Sequence, residues 1–194
     1  NNTMAILVPK GDYQAEAEII SAIEDMEMVD SVIGLASIEV GDNKEYTLVD
    51  SLRPRELAEV ADIDVDLAKL AYKIYAIDKE EYGALVNSID DYKVPIINMV
   101  DFVYDLKENK GLSLDAETSE DIDDLYNDLC DARAQMEGQD HSRIIFMLKG
   151  AVEGEETFRQ IDAIRELAQS HYDDEVFVTG DPTSAYDLSN AFSK

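Results

Sequence analysis

Two short apolar runs of the same shape stand far apart in this chain. Met4-Ala5-Ile6-Leu7-Val8-Pro9-Lys10-Gly11 lies near the start, and Arg143-Ile144-Ile145-Phe146-Met147-Leu148-Lys149-Gly150 lies late. Each ends in Lys-Gly, and each predicts a strand buried on at least one face and closed by a turn. An amphipathic helix pattern follows each run. In the first copy Ala15, Ile19, Ala22, Ile23 and Met26 recur at helical spacing; in the second, Phe158, Ile161, Ile164, Leu167 and Ala168 do. The opposite faces carry Glu16, Glu18, Glu24 and Asp25, or Glu155, Arg159, Asp162 and Glu166, so each helix is expected to cover a sheet and turn its charge to water. A second strand closes each unit, over Ser31–Ala36 and Glu175–Gly180.

The order is strand-helix-strand, a long insert, then strand-helix-strand. Two such units interleave, with right-handed crossovers, into an α+β fold of the ferredoxin-like split βαβ type. The expected sheet has four antiparallel strands, with a large all-helical insertion between strands 2 and 3. Residues 1–37 form the first half, 38–142 the acidic insertion, and 143–186 the second half. In such a sheet the first and last strands are antiparallel neighbours, so the chain enters and leaves at one edge. The insertion departs from the other end.

Within the insertion, Pro54 suits the first turn of a helix through Ala61. Asp64 is a candidate cap for a second, with Leu67, Leu70, Ala71 and Ile74 facing inward. A weaker helix covers Glu80–Ile89. Another begins at Pro95 and stops before Gly111, with Ile96, Met99, Val100, Val103 and Leu106 on one face. The last runs from Ser119 to about Glu137 and is stopped by Gly138, with Thr118 and Asp121 resembling a capping box. These faces need one another, which predicts a small bundle.

Composition narrows the functional classes. Hydrophobic residues at 45% and charged residues at 31% belong to a folded chain. Forty-four acids against 16 bases give a net charge of −28, and the insertion alone holds 27 acids and 10 bases. Such a surface repels nucleic-acid backbones and anionic lipid headgroups. No run approaches the roughly 18 apolar residues of a membrane span. Asn1-Asn2-Thr3 leads into the first apolar run with no signal peptide before it, which reads as a cut end.

Candidate chemistry is sparse. Cys130 is alone, sits at helical spacing among apolar residues, and is expected to be a buried small hydrophobe. His141 and His171 have no ligand partner three or four residues away; His171 suits the end of a helix, where a cation offsets the dipole. Asp62, Asp64 and Asp66 alternate, as do Asp121 and Asp123, but the sixth and twelfth loop positions hold Leu67 and Lys73, or Tyr126 and Ala132. An EF-hand needs glycine and glutamate there. Helix starts and solvated faces explain both clusters better, with weak non-EF calcium binding the remaining alternative. Tyr72, Tyr75, Tyr82, Tyr92, Tyr104 and Tyr126 gather in the insertion, where they suit a binding groove or, in preference, the rim of a small core. No phosphate loop or nucleophile elbow occurs. No catalytic, cofactor-binding or metal residue is therefore assigned, no cofactor is expected, and substrate-binding residues stay open.

The ends and the second repeat resemble a family. Asn1-Asn2-Thr3-Met4-Ala5-Ile6-Leu7-Val8-Pro9-Lys10-Gly11-Asp12, Ser142-Arg143-Ile144-Ile145, Ile164-Arg165-Glu166 and Phe177-Val178-Thr179-Gly180-Asp181 are similar to extracytoplasmic loops of bacterial transporters in the MMPL branch of the resistance–nodulation–division (RND) superfamily. The segment from Thr179-Gly180 through Tyr186-Asp187-Leu188 resembles the lead into a membrane helix of those proteins, which implies that 187–194 is a junction toward a following membrane helix. The resemblance covers both repeats, and the insertion only in its helical character; it leans toward the second of the two large loops. It implies a non-enzymatic porter domain of a proton-driven exporter of lipids, drugs or other hydrophobic solutes. That places it on the extracytoplasmic face of the bacterial cytoplasmic membrane. Its implied partners are the sister loop and membrane helices of the same polypeptide and the transported solute, with an oligomeric full-length protein compatible and nucleic acid not a partner. The proton-carrying acids of such exporters lie in membrane helices, so none is carried over. Two other readings compete: a free-standing ferredoxin-like module binding a small ligand or protein, and, behind it, a hydrolase using the clustered acids.

Overall fold

The computed structural model describes residues 3–150 and 154–180. In chain order the strands and α-helices are β1 (Thr3–Pro9), α1 (Tyr13–Glu24), β2 (Val29–Ile33), β3 (Glu39–Val40), β4 (Tyr46–Thr47), β5 (Ser51–Leu52), α2 (Pro54–Ala61), α3 (Val65–Asp78), α4 (Tyr82–Asn87), β6 (Val94–Pro95), α5 (Ile96–Asn109), α6 (Ala116–Met136), β7 (His141–Leu148), α7 (Gly154–Gln169) and β8 (Phe177–Gly180). The protein is mixed α+β, with a four-stranded antiparallel sheet and seven α-helices among the described residues. Two compact units divide the chain. One comprises Asn1–Ile38 and Ala132–Lys194, the other Glu39–Asp131. Asn1-Asn2, Asp181, the Tyr186-Asp187-Leu188 segment and the expected junction at 187–194 lie outside the described residues.

In the first unit the sheet order is β2-β7-β1-β8. β1 pairs antiparallel with β7 from Thr3↔Met147 to Pro9↔His141, and with β8 from Met4↔Gly180 to Leu7↔Phe177. Alternation along these strands sorts the side chains onto two faces. Met4, Ile6, Val8, Ser142, Ile144, Phe146 and Leu148 share one face and are all buried. Helix α1 packs there: a β-carbon on Gly34, just past β2, would lie 2.9 Å from Ile20 Cδ1 and 3.4 Å from Ile144 Cγ1. The other face is also apolar, with Ala5 and Leu7 buried against Ile145, and Ile33, Met147 and Phe177 partly exposed beside them by register. Both halves of the repeat contribute two strands, as the matching apolar runs require.

Several side chains depart from the sequence pattern. Glu16, expected on the solvated face of α1, is fully buried with Ala15, Ile19, Ile20 and Ile23. Its position three and four residues before Ile19 and Ile20 puts it inside the apolar arc, because i, i+3 and i+4 share a face. Phe158, expected inward, is 59% exposed in the first two turns of α7, where Ile164 and Ala168 form the buried contact. The expected strand over Ser31–Ala36 begins earlier, at Val29, and ends at Ile33; Leu35–Ser37 turns as a 3-10 helix instead, with the Ser37 hydroxyl donating to Gly34 O.

The second unit is not all-helical. Two small antiparallel ribbons, β3–β4 and β5–β6, stand among the helices. Helix α2 starts with Pro54 at its first turn, where proline's missing N–H costs nothing. Asp64 caps α3, accepting from the backbone N–H groups of Asp66 and Leu67. Past the end of α5, Gly111 takes φ 74°, a left-handed turn that favours glycine, and Leu112 N donates back to Leu106 O at 3.0 Å. Leu70 faces outward at 47% exposure; the inner stripe of α3 is Ala68, Ala71, Tyr72, Tyr75 and Ala76. Small alanines allow close approach, and the two tyrosines supply the bulk. Thr118 and Asp121 form no capping box; Asp115 caps α6 by accepting from Thr118 N at 2.8 Å, and this bond holds its carboxyl below the usual range.

Candidate functional site

Two features of the folded chain combine shape with unusual chemistry, one in each unit. In the helical unit, the last turn and a half of α3 and the length of α5 line an open groove of about 730 Å³. Its floor is aromatic. Tyr75 of α3 and Phe102 of α5 meet edge to face, with ring centroids 5.1 Å apart at 88°. Asn98 Nδ2 donates to the Tyr75 hydroxyl at 3.4 Å, which anchors the ring's polar tip. Ile74 and Leu106 add apolar wall, while Asp78, Asp101 and Asp105 bring carboxylates and Lys79 and Lys110 bring ammonium groups. Lys79 Nζ stands over the Tyr75 ring at 5.5 Å from its centroid and 3.6 Å from its neighbour Asp78. The volume lies within the range of small-ligand sites. Spacing along both helices builds it: Ile74, Tyr75, Asp78 and Lys79 share one face of α3, and Asn98, Asp101, Phe102, Asp105 and Leu106 share one face of α5.

In the sheet unit, a buried polar cluster gathers at the start of α1. The Glu16 carboxyl has both oxygens buried and without a hydrogen bond. Burial, then the charge of Glu137, and more weakly that of Asp12, push it up to about 8; the nearby Ser142 hydroxyl acts in the opposite sense without making a bond of regular geometry. A carboxyl in this setting is held neutral at pH 7. Glu137 differs although its side chain is only 4% exposed: it accepts from Tyr13 Oη at 3.0 Å and pairs with Lys10 Nζ at 3.6 Å. The Tyr172 hydroxyl, just beyond α7, is buried without a hydrogen-bond partner, and burial with the Glu16 charge raises it above the usual phenol range. The cluster can store a proton.

The residues singled out in the sequence are dispersed. Cys130 is a free thiol of intermediate exposure, not a fully buried one. His141 opens β7 with its ring 5.9 Å from that of Phe177. His171 follows α7, with Nε2 3.3 Å from Glu18 Oε2 and Nδ1 3.0 Å from Leu167 O. Asp62 and Asp64 have structural work: Asp62 closes α2 in the left-handed conformation at φ 53°, and Asp64 caps α3. Asp123 pairs with Lys107, a nearly buried lysine that also reaches Glu108 at 2.9 Å and Ser119 Oγ at 3.2 Å. Among the described residues, no three His, Cys, Asp or Glu side chains are placed to hold a metal ion.

The tyrosines divide. Tyr72 lies at the centre of the helical core and not on its rim, fully buried, with its hydroxyl donating to Leu52 O at 2.7 Å. Tyr104 and Tyr126 stack at 3.6 Å, Tyr92 donates to Glu81, and only Tyr75 lines the groove. Glu16 escaped sequence reasoning because a carboxylate on a helix is ordinarily assigned to water; its spacing to Ile19 and Ile20 was the available signal. No protein-family model, characterised protein or solved structure matches this chain.

Proposed function

We propose that this chain is an extracytoplasmic, non-enzymatic domain of a proton-driven exporter of the MMPL type, lining or gating the path of a lipid, drug or other hydrophobic solute. On this reading the sheet is the ferredoxin-like split βαβ, with the acidic unit as an insertion between its second and third strands. The observation that carries the proposal is the pairing of β1 with β8 from Met4↔Gly180 onward. It sets the beginning of the first strand beside the end of the last. A domain looped out between two consecutive membrane helices needs this juxtaposition. The sheet order β2-β7-β1-β8 supports it, since each repeat places one strand inside and one at an edge. Along the chain, residues 39–131 are inserted between β2 and β7, so each repeat stays whole on its own side of the insertion. No described helix is long and apolar enough to cross a membrane, so the spans of the parent would have to lie in flanking sequence.

The test is to read the coding sequence on both sides of this segment. Two apolar spans of roughly 20 residues, one on each flank, would support the exporter domain; removing 39–131 from that parent should then abolish export of its solute. Flanks without such spans overturn the proposal. They favour the second reading, a ligand-binding module, which the α3–α5 groove supports.

A further inference from the structure

We infer that the groove between α3 and α5 is a binding site for an organic cation with an apolar body, an aryl- or alkylammonium, seated over Tyr75 and among the carboxylates of Asp78, Asp101 and Asp105. The inference stands on the groove alone and holds whether or not the chain belongs to an exporter.

The ring face is already used by a cation. Lys79 is on a flexible stem with its side chain 49% exposed, and its ammonium sits 5.5 Å from the Tyr75 centroid. Tyr75 is itself largely buried, so a positive group from solvent reaches that π-face by taking the place of Lys79, and the attraction is electrostatic and not specific to lysine. Phe102, set edge-on to Tyr75, closes the floor and offers apolar surface. Ile74 and Leu106 add apolar lining, so an ammonium carrying a hydrocarbon body gains more than a hydrated inorganic ion. The groove's three carboxylates outnumber the ammonium groups of Lys79 and Lys110 by one, and the last turn of α3 ends at Asp78, where the negative end of the helix dipole adds to them. The net charge of −28 raises the local concentration of cations and lowers that of anions. Shape, floor and field thus select the same class of ligand, and Lys79 is the tethered competitor that such a ligand displaces.

The competitor makes the inference testable in a way a merely structural lysine would not. The intact chain is titrated with benzyltrimethylammonium, and separately with benzenesulfonate and benzyl alcohol, which carry the same ring with negative or no charge. Amide NMR shifts of Lys79, Asn98 and Phe102 are followed. Saturable shifts at these positions are expected with the ammonium alone. Lys79→Ala should tighten binding about threefold, because it frees the ring and removes a like charge. Asp101→Asn should weaken it about threefold. The Lys79 side chain is half-exposed and Asp101 is of intermediate exposure, and circular dichroism verifies that each variant keeps its fold. Shifts that spread over the acidic surface without saturating, an equal response to the neutral probe, or either variant failing to move affinity in the stated direction would overturn the assignment.

Discussion

Glu16 and Glu137 place two carboxyl groups in one buried cluster of the sheet unit, and only Glu137 is provided with partners. Tyr13 and Lys10 serve Glu137, while Glu16 meets its charge and the Ser142 hydroxyl. Two neighbouring carboxylates in a dry setting cannot both ionise cheaply, and the one without hydrogen bonds keeps its proton.

This asymmetry sets a pH dependence. The folded-state value of Glu16, about 8, lies above its ordinary 4.5, so the fold retains a proton that the unfolded chain gives up. The stability linked to that proton is fully present below pH 4.5 and is lost as pH rises through about 8. Over the window the loss is on the order of 4 kcal/mol. Urea unfolding of the wild type and of Glu16→Gln at about pH 5 and about pH 8.5 measures it. The variant should lose much less stability between the two conditions, and equal losses in both proteins would refute the assignment.

Tyr72 should matter for its hydroxyl as well as its ring. The ring is fully buried and the hydroxyl donates to Leu52 O at 2.7 Å, tying α3 to β5. Tyr72→Phe keeps the packing and removes the donor, at an expected cost of about 1–2 kcal/mol in urea unfolding. A variant as stable as the wild type would show that water serves Leu52 equally well.

The Asp64 cap is expected to contribute about 1 kcal/mol through its bonds to the N–H groups of Asp66 and Leu67. Asp64→Ala should show that loss in thermal unfolding, and Asp64→Ser should recover most of it. If Asp64→Ser were no better than Asp64→Ala, side-chain capping would not be the source of the effect.

Gly34 is extended, at φ −154°, so its backbone tolerates any residue and the constraint is spatial. A β-carbon there meets Ile20 Cδ1 at 2.9 Å. Gly34→Ala is expected to cost about 1–2 kcal/mol by overpacking. Ile20→Val in the same chain should relieve part of that cost, and strictly additive penalties would argue against a direct clash.

The sequence by itself determined the elements that local chemistry controls. The twin apolar runs became the central strands β1 and β7, Pro54 and Asp64 opened helices where their backbone chemistry predicts, and Gly111 closed one. These signals act within a turn or along one strand and need no distant partner. The antiparallel pairing of β1 with β8 also followed from repeat order, because connection handedness leaves few alternatives. Tertiary structure decided the rest. Whether Glu16 faces water or Ser142 depends on what covers the first turn of α1, which lies more than a hundred residues away in sequence. The same holds for Tyr72, whose partner is a carbonyl on β5. The groove arises only when Tyr75 and Phe102, on separate helices, are brought edge to face. Periodicity reports which side of a helix is apolar, whereas depth of burial and the identity of a partner are properties of the assembled core.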